Sequence, residues 1–189
     1  MDQQSIEHAS ALLERLSRLI HGDGFDAGLK PVQWETLRYL QRANRFSCTP
    51  GALTAYLANT KGTVSQTLNA LQRKGLVEKH SAPRDRRSVR LALTSAGSEL
   101  LAQDPLEPTR QALRGLGDTR LQPFIGDLET LIGERLKQNQ GRPFGLCNQC
   151  RHFRHSADKT SPYYCQLLRE PLSNTDADKI CLEQEPAVR

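Results

Sequence analysis

Apolar residues along this chain recur at two periods, and the switches between them mark its elements. Ile6, Ala9, Leu12, Leu13, Leu16, Leu19 and Ile20 keep helical spacing, and Gly22, Gly24 and Gly28 then break it. Pro31 opens a second helix, at a position whose N–H would have no partner anyway. Trp34, Leu37, Leu40 and Ala43 mark its buried side. Thr49-Pro50 is a cap followed by a first-turn proline, and the helix it starts buries Leu53 and Leu57. Ala58-Asn59-Thr60 is a turn. Val64, Leu68 and Leu71 then fall at i, i+4 and i+7, with Thr60 as N-cap and Gly75 as the C-terminal stop. Val89, Leu91 and Leu93 alternate, as a half-buried strand does. Thr94 caps another helix carrying Leu100 and Leu101, and Pro105 and Pro108 interrupt it. A short helix around 109–115 follows. Leu121, Phe124, Ile125, Leu128, Leu131, Ile132 and Leu136 make 120–138 strongly amphipathic. The expected fold is mainly α with one small β-hairpin.

The polar positions carry the chemistry. Opposite Val64 on its helix lie Gly62, Gln66, Asn69 and Arg73, with Ser65 beside them and Lys61 and Thr63 in the first turn. That face is short and donor-rich, and Gly62 lets a partner approach the backbone. Between this helix and the strand, Pro83, Arg84, Asp85, Arg86 and Arg87 form a basic hairpin tip, where Asp85 can orient an arginine by an ion pair. A polar helix followed by an Arg-tipped hairpin is a winged helix-turn-helix. Its helix fits a major groove and its tip reaches phosphates or a minor groove. Charge agrees. Residues 60–94 hold eight Lys/Arg against two Asp/Glu, whereas 147–189 hold six of each, so the net +5 of the chain lies in 1–146. This is a local nucleic-acid footprint. Arg38, Arg42 and Arg45 lie on or near the polar side of the second helix, and Arg42-Ala-Asn-Arg45 is expected near DNA phosphates.

Thr63-Val64-Ser65, Leu71, Lys74-Gly75-Leu76-Val77, Asp85-Arg86-Arg87 and Leu93-Thr94-x-x-Gly97 resemble the MarR family of bacterial transcription regulators, over roughly residues 5–140. The resemblance implies a non-enzymatic regulator that binds double-stranded DNA as a homodimer. Its first and last helices would interlock two subunits, and Arg87 would contact a groove. The DNA-binding set is then Lys61, Thr63, Ser65, Gln66, Asn69, Arg73, Arg84, Asp85, Arg86 and Arg87. The expected organisation is a winged-helix and dimerisation domain at 1–140, a linker at 141–146 and an extension at 147–189.

That extension holds Cys147, Cys150, Cys165 and Cys181, four of the chain's five cysteines, spaced C-x2-C-x14-C-x15-C. A segment this small is near the limit for holding a core alone and needs a staple. In a reducing compartment a metal is favoured over disulfides, and four thiolates suit zinc or an iron–sulfur cluster. Cys147-x-x-Cys150-x-x-Phe153 and Cys165-Gln-Leu-Leu resemble pieces of high-potential iron–sulfur proteins. Those proteins carry Gly-aromatic before the last cysteine and an aromatic after it. Here Lys179-Ile180 precedes Cys181 and Leu182-Glu183-Gln184 follows. The expectation is one centre per subunit, a 4Fe–4S cluster or zinc, with His152 and His155 as alternative ligands. Cys48 stands alone and reads as a small core residue.

No apolar run reaches the roughly 18–20 residues of a membrane span. The N-terminus lacks the basic start and apolar stretch of a signal peptide, so a cytoplasmic protein is expected. No nucleophile elbow, phosphate loop or paired-carboxylate motif supports an enzyme. Three readings follow: a regulator responding through its metal centre, the same regulator with a purely structural zinc tail and a small organic effector in the dimer cleft, and an electron-transfer protein. In the first, the tail follows directly on the last dimer helix, so a change at the centre could be transmitted there.

Overall fold

The computed structural model describes residues 2–23, 28–82, 85–158 and 160–187; for residues 23, 82 and 85–88 it describes the backbone only. The elements run α1 (Gln3–Asp23), α2 (Pro31–Arg42), α3 (Pro50–Tyr56), α4 (Lys61–Arg73), β1 (Val77–Ala82), β2 (Asp85–Leu93), α5 (Ser95–Leu100), α6 (Glu107–Arg114) and α7 (Asp118–Gln138). A compact tail of β3 (Gly145–Leu146), β4 (Phe153–His155), β5 (Tyr163–Cys165), β6 (Glu170–Leu172), α8 (Asn174–Ala177) and β7 (Ile180–Cys181) follows.

The core forms where the apolar stripes of α2, α3 and α4 meet the base of the hairpin. Trp34, Leu37, Leu53, Val64, Leu68, Leu71, Val77 and Leu91 are all nearly inaccessible. α3 and α4 with their turn are the helix-turn-helix. Thr49 caps α3 by accepting from the Ala52 amide at 3.2 Å, and Thr60 caps α4 by accepting from the Thr63 amide at 3.1 Å. Each bond satisfies an otherwise orphaned N–H of a helix start. α4 ends at Gly75, whose φ of 70° is the left-handed value that glycine adopts without strain. β1 and β2 pair antiparallel from Val77↔Leu93 outward, with an irregularity at Ser81/Ala82.

Thr94 and Gly97 close this unit against the end of α4. The Thr94 hydroxyl donates to Gly75 O at 2.7 Å and accepts from the Gly97 amide at 3.0 Å. A Cβ on Gly97 would overlap the Leu76 carbonyl oxygen. The Thr-x-x-Gly spacing is therefore a close backbone crossing as well as a cap.

Boundaries differ from the sequence reading mainly at prolines. Pro108 sits in the first turn of α6, so it opens that helix instead of interrupting one. α7 begins at Asp118, after Gly117 with φ 68°. α1 and α7 leave apolar side chains outside: Ile6, Leu12, Leu13, Leu16 and Leu19 on the first, Ile125, Leu131 and Ile132 on the second. α7 buries none of its residues. No described helix is long and apolar enough to cross a membrane.

In the tail, β4-β5-β6 form an antiparallel sheet and β3 pairs with β7. The tail does not stand apart from the winged helix. Ile180 belongs to the main core, and Phe144 and Leu182 pack against it. Phe144 lies edge-on to both Tyr39 and Tyr56, at ring distances of 6.0 and 5.1 Å.

Candidate functional site

Two groups of residues come forward. The first is the outer face of α4. Burial of Val64, Thr67, Leu68 and Leu71 leaves Lys61, Gly62, Thr63, Ser65, Gln66, Asn69, Gln72 and Arg73 exposed, so every helix residue expected at the interface points outward. Thr63 is partly engaged, its hydroxyl 2.9 Å from that of Thr60. Asn69 Oδ1 accepts from Lys79 Nζ at 2.6 Å. Lys79 is on β1, and the sequence reading did not include it. The hydrophobic alternation of the hairpin draws attention to its apolar positions, whereas Lys79 matters because β1 returns alongside α4. Gln72 joins Gln66, Asn69 and Arg73 around one shallow surface groove.

Of the hairpin tip, Arg84 lies outside the described residues. Asp85, Arg86 and Arg87 have their backbone in β2, and their side chains lie outside the described residues too. The arginines of α2 and of the loop after it divide. Arg42 is exposed and lines a shallow cleft with Gln41, Asn174, Asp178 and Lys179. Arg45 instead pairs with Asp176 of the tail at 3.2 Å and donates to Pro171 O. Arg38 is occupied as well. Its Nε donates to both Asp104 oxygens at 3.0 Å and its Nη2 donates to Oδ1 at 2.8 Å, while Arg110 takes the other side. Burial alone would raise the Asp104 carboxyl. Hydrogen bonds from Arg38, the Leu106 amide and Arg110 outweigh it and hold that carboxyl below the usual range.

The second group is the cysteines. None of the five is in a disulfide. Cys147 opens a single turn of 3-10 helix and is 5% exposed; its amide donates to Lys179 O at 3.0 Å. Cys181, 6% exposed, lies on β7 opposite Gly145. The Cys150 amide returns to Cys147 O at 3.1 Å, and its sulfur accepts from the Glu185 amide at 3.5 Å. Cys165 lies on β5 opposite Phe153, and its sulfur accepts from the Leu168 amide at 3.5 Å.

Burial pushes the Cys147 thiol up to about 12, and the neighbouring Cys181, Cys165 and Cys150 add to it. Cys147 is thus within electrostatic range of all three others. A bound cation would reverse this by favouring the thiolates. Among the described residues, no three His, Cys, Asp or Glu side chains stand as a ready ligand shell. His152 is 3.3 Å from Glu185, and His155 lies edge-on to Phe153 and Tyr163. Cys48 is half-buried, its thiol donating to Ala43 O at 3.6 Å, and burial raises its pKa.

Comparison with known proteins bears on the first group. Residues 27–88 match the model of the MarR family. Among solved structures, the chain is similar to a MepR–DNA complex from S. aureus, at 21% identity and TM-score 0.56, over 66% of this chain and 96% of that one. It is similar to a MarR transcriptional regulator from Methanosarcina mazei Go1, at 24% identity and TM-score 0.56, over 71% and 99%. A probable transcriptional regulator from Pseudomonas aeruginosa is 25% identical with TM-score 0.52, over 65% and 95%. Each likeness leaves about a third of this chain unmatched. Over residues 27–88, about a third of the chain, the sequence thus matches the MarR family, and the winged-helix fold is the one it shares with these structures.

Proposed function

We propose that this protein is a sequence-specific regulator that binds duplex DNA as a homodimer and holds a four-thiolate metal centre in its tail. The observation that carries the DNA reading is the outer face of α4, where Ser65, Gln66, Asn69 and Arg73 are exposed on a helix whose other face is locked into the core. Such a face presents amides and a guanidinium to base edges, and Gln and Asn bond adenine in a bidentate manner. Lys61 and Lys79 flank it with positive charge for phosphates. The uncovered apolar faces of α1 and α7 are the material of a dimer interface. Two recognition helices would then read half-sites about one helical turn apart, near 10 bp. That the MepR structure contains DNA supports the same mode of use for this fold.

The cysteine reading rests on the donor set. Two buried and two half-buried thiols lie in a small module, and amides are already directed at two of the sulfurs. Cys147, Cys150, Cys165 and Cys181 would hold an iron–sulfur cluster or a zinc ion, which would supply the crosslink that so small a core lacks and, if iron, a redox response.

Selection from randomised duplexes, followed by fluorescence anisotropy on the selected sequence, tests the DNA reading. Gln66→Ala and Asn69→Ala should change the preferred bases, each by about 1–3 kcal/mol at one position. An equal loss on every sequence would show that these residues position the helix without reading. Absence of any selected sequence would refute the function.

A further inference from the structure

Among the described residues, the hydrogen bonds and ion pairs between the tail and the winged helix gather on the loop of residues 43–48 between α2 and α3, beside the Phe144 packing on Tyr39 and Tyr56. Ala43 and Ile180 form a parallel bridge, and the Asn44 amide donates to Ile180 O at 2.9 Å. The Leu182 amide donates to Ser47 Oγ at 2.9 Å. Asp176, whose side chain is 7% exposed, takes the Arg45 guanidinium at 3.2 Å. Ile180 fills a position in the main core, 5% exposed. Ile180 and Leu182 bracket Cys181, and the Cys147 amide is bonded to Lys179 O. One of the four cysteines, Cys181, thus sits on the strand pair that makes the contact, and a second, Cys147, follows directly after β3.

The same loop governs both DNA-reading parts. Ser47 O accepts from the Tyr39 hydroxyl at 2.7 Å, which fixes the loop to α2. Cys48 O accepts from the Leu91 amide at 2.8 Å, which fixes it to the hairpin strand β2. Thr49 then caps α3. A shift of this loop moves the base of the wing and the start of the helix-turn-helix together. By contrast, α7 buries no residue. Within a single chain, the continuity between α7 and the tail therefore offers little packing through which a change could travel.

Resting on the reading of the cysteines as a metal centre, we propose that β7 and α8 are a latch on the 43–48 loop, so that loss of the centre weakens DNA binding through that loop. The tail has few buried apolar residues of its own, and Ile180 is inserted elsewhere. Its folding is therefore linked both to metal retention and to docking. Linkage is reciprocal: if loading the cysteines orders the loop and favours DNA, DNA must tighten metal retention by the same factor.

The test uses full-length protein purified without oxygen, with iron, sulfide and zinc measured. Amide hydrogen exchange over 43–53 and anisotropy on the selected duplex are read before and after stripping. The stripping agent is EDTA for zinc and ferricyanide followed by EDTA for iron. Stripping should speed exchange over 43–53 and weaken DNA binding about tenfold. Cys165→Ser, on β5 away from the latch, should match the stripped protein without any chelator. Arg45→Ala/Ser47→Ala keeps every cysteine; it should still hold metal, yet its DNA affinity should change less than about twofold on stripping.

Metal-bearing wild type whose exchange and affinity ignore stripping would overturn the latch and leave the centre standing. A double variant as responsive as wild type would overturn the route through this loop. Freshly purified protein with no metal would overturn centre and latch together, while the DNA reading would stand on its own selection experiment.

Discussion

Position 97 has room for hydrogen and nothing larger, because the Leu76 carbonyl crosses it. Gly97→Ala should therefore destabilise the protein by about 1–3 kcal/mol, the usual cost of overpacking, despite the higher helix propensity of alanine. Urea unfolding measures this, and an unchanged midpoint would mean that α5 shifts freely from the end of α4. Asp104 is the other residue whose environment decides an outcome. Its side chain is 2% exposed between Arg38 and Arg110, and Arg38 is itself 16% exposed. Asp104→Asn leaves a poorly hydrated guanidinium without its charge partner, at a cost of about 3 kcal/mol at neutral pH. The folded carboxyl is held below its unfolded value of about 3.9, so the pair's contribution is complete above that pH. It is lost as pH falls through the lower folded value. The stability gap between wild type and variant should therefore narrow below about pH 4. A gap that persisted in acid would assign the loss to packing instead of charge.

At the scale of elements, most of the winged helix could be read from the chain because its information is local. Apolar period, N-cap threonines and a left-handed glycine each act within a few residues, and α2, α3, α4 and the hairpin follow them. What could not be read was long-range. Nothing in the period of α4 announces that Lys79 folds back onto Asn69, ten residues away. Nothing in Arg42-Ala-Asn-Arg45 says that Arg45 turns to Asp176, 131 residues later, instead of toward phosphates. Such pairings depend on tertiary placement, which periodicity does not encode. The α4–β1 contact carries a prediction for the wing. Lys79→Ala should lower the slope of log affinity against log salt by about one unit if Lys79 also neutralises a phosphate. It should also disturb the base preference that Asn69→Ala disturbs, because Asn69 loses its partner. Arg87→Ala should lower the slope by a similar amount and leave base preference alone. A Lys79→Ala protein with wild-type slope and preference would confine that lysine to a structural bond.

At the scale of the whole molecule, apolar area is distributed unevenly. The core around Trp34 and Leu37 is closed, while α1 and α7 expose Leu12, Leu16, Leu19, Leu131 and Ile132, with Leu19 58% and Ile132 56% exposed. Leaving such side chains in water forgoes about 25 cal/mol for each Å² that a partner could cover. The occupant argued above is a second copy of the chain, which gives the two recognition helices a fixed spacing on DNA. Leu16→Glu/Leu131→Glu places charge in both faces without touching the core, so the winged helix should stay folded. Light scattering at micromolar concentration should show a dimer for wild type and a monomer for the variant. The variant should lose most of its affinity for the full site, because one half-site supplies only half of the phosphate contacts. It should also show a shallower salt dependence. A wild-type monomer, or a double variant that remains dimeric with unchanged DNA affinity, would remove these helices from the interface and leave their apolar faces to another partner.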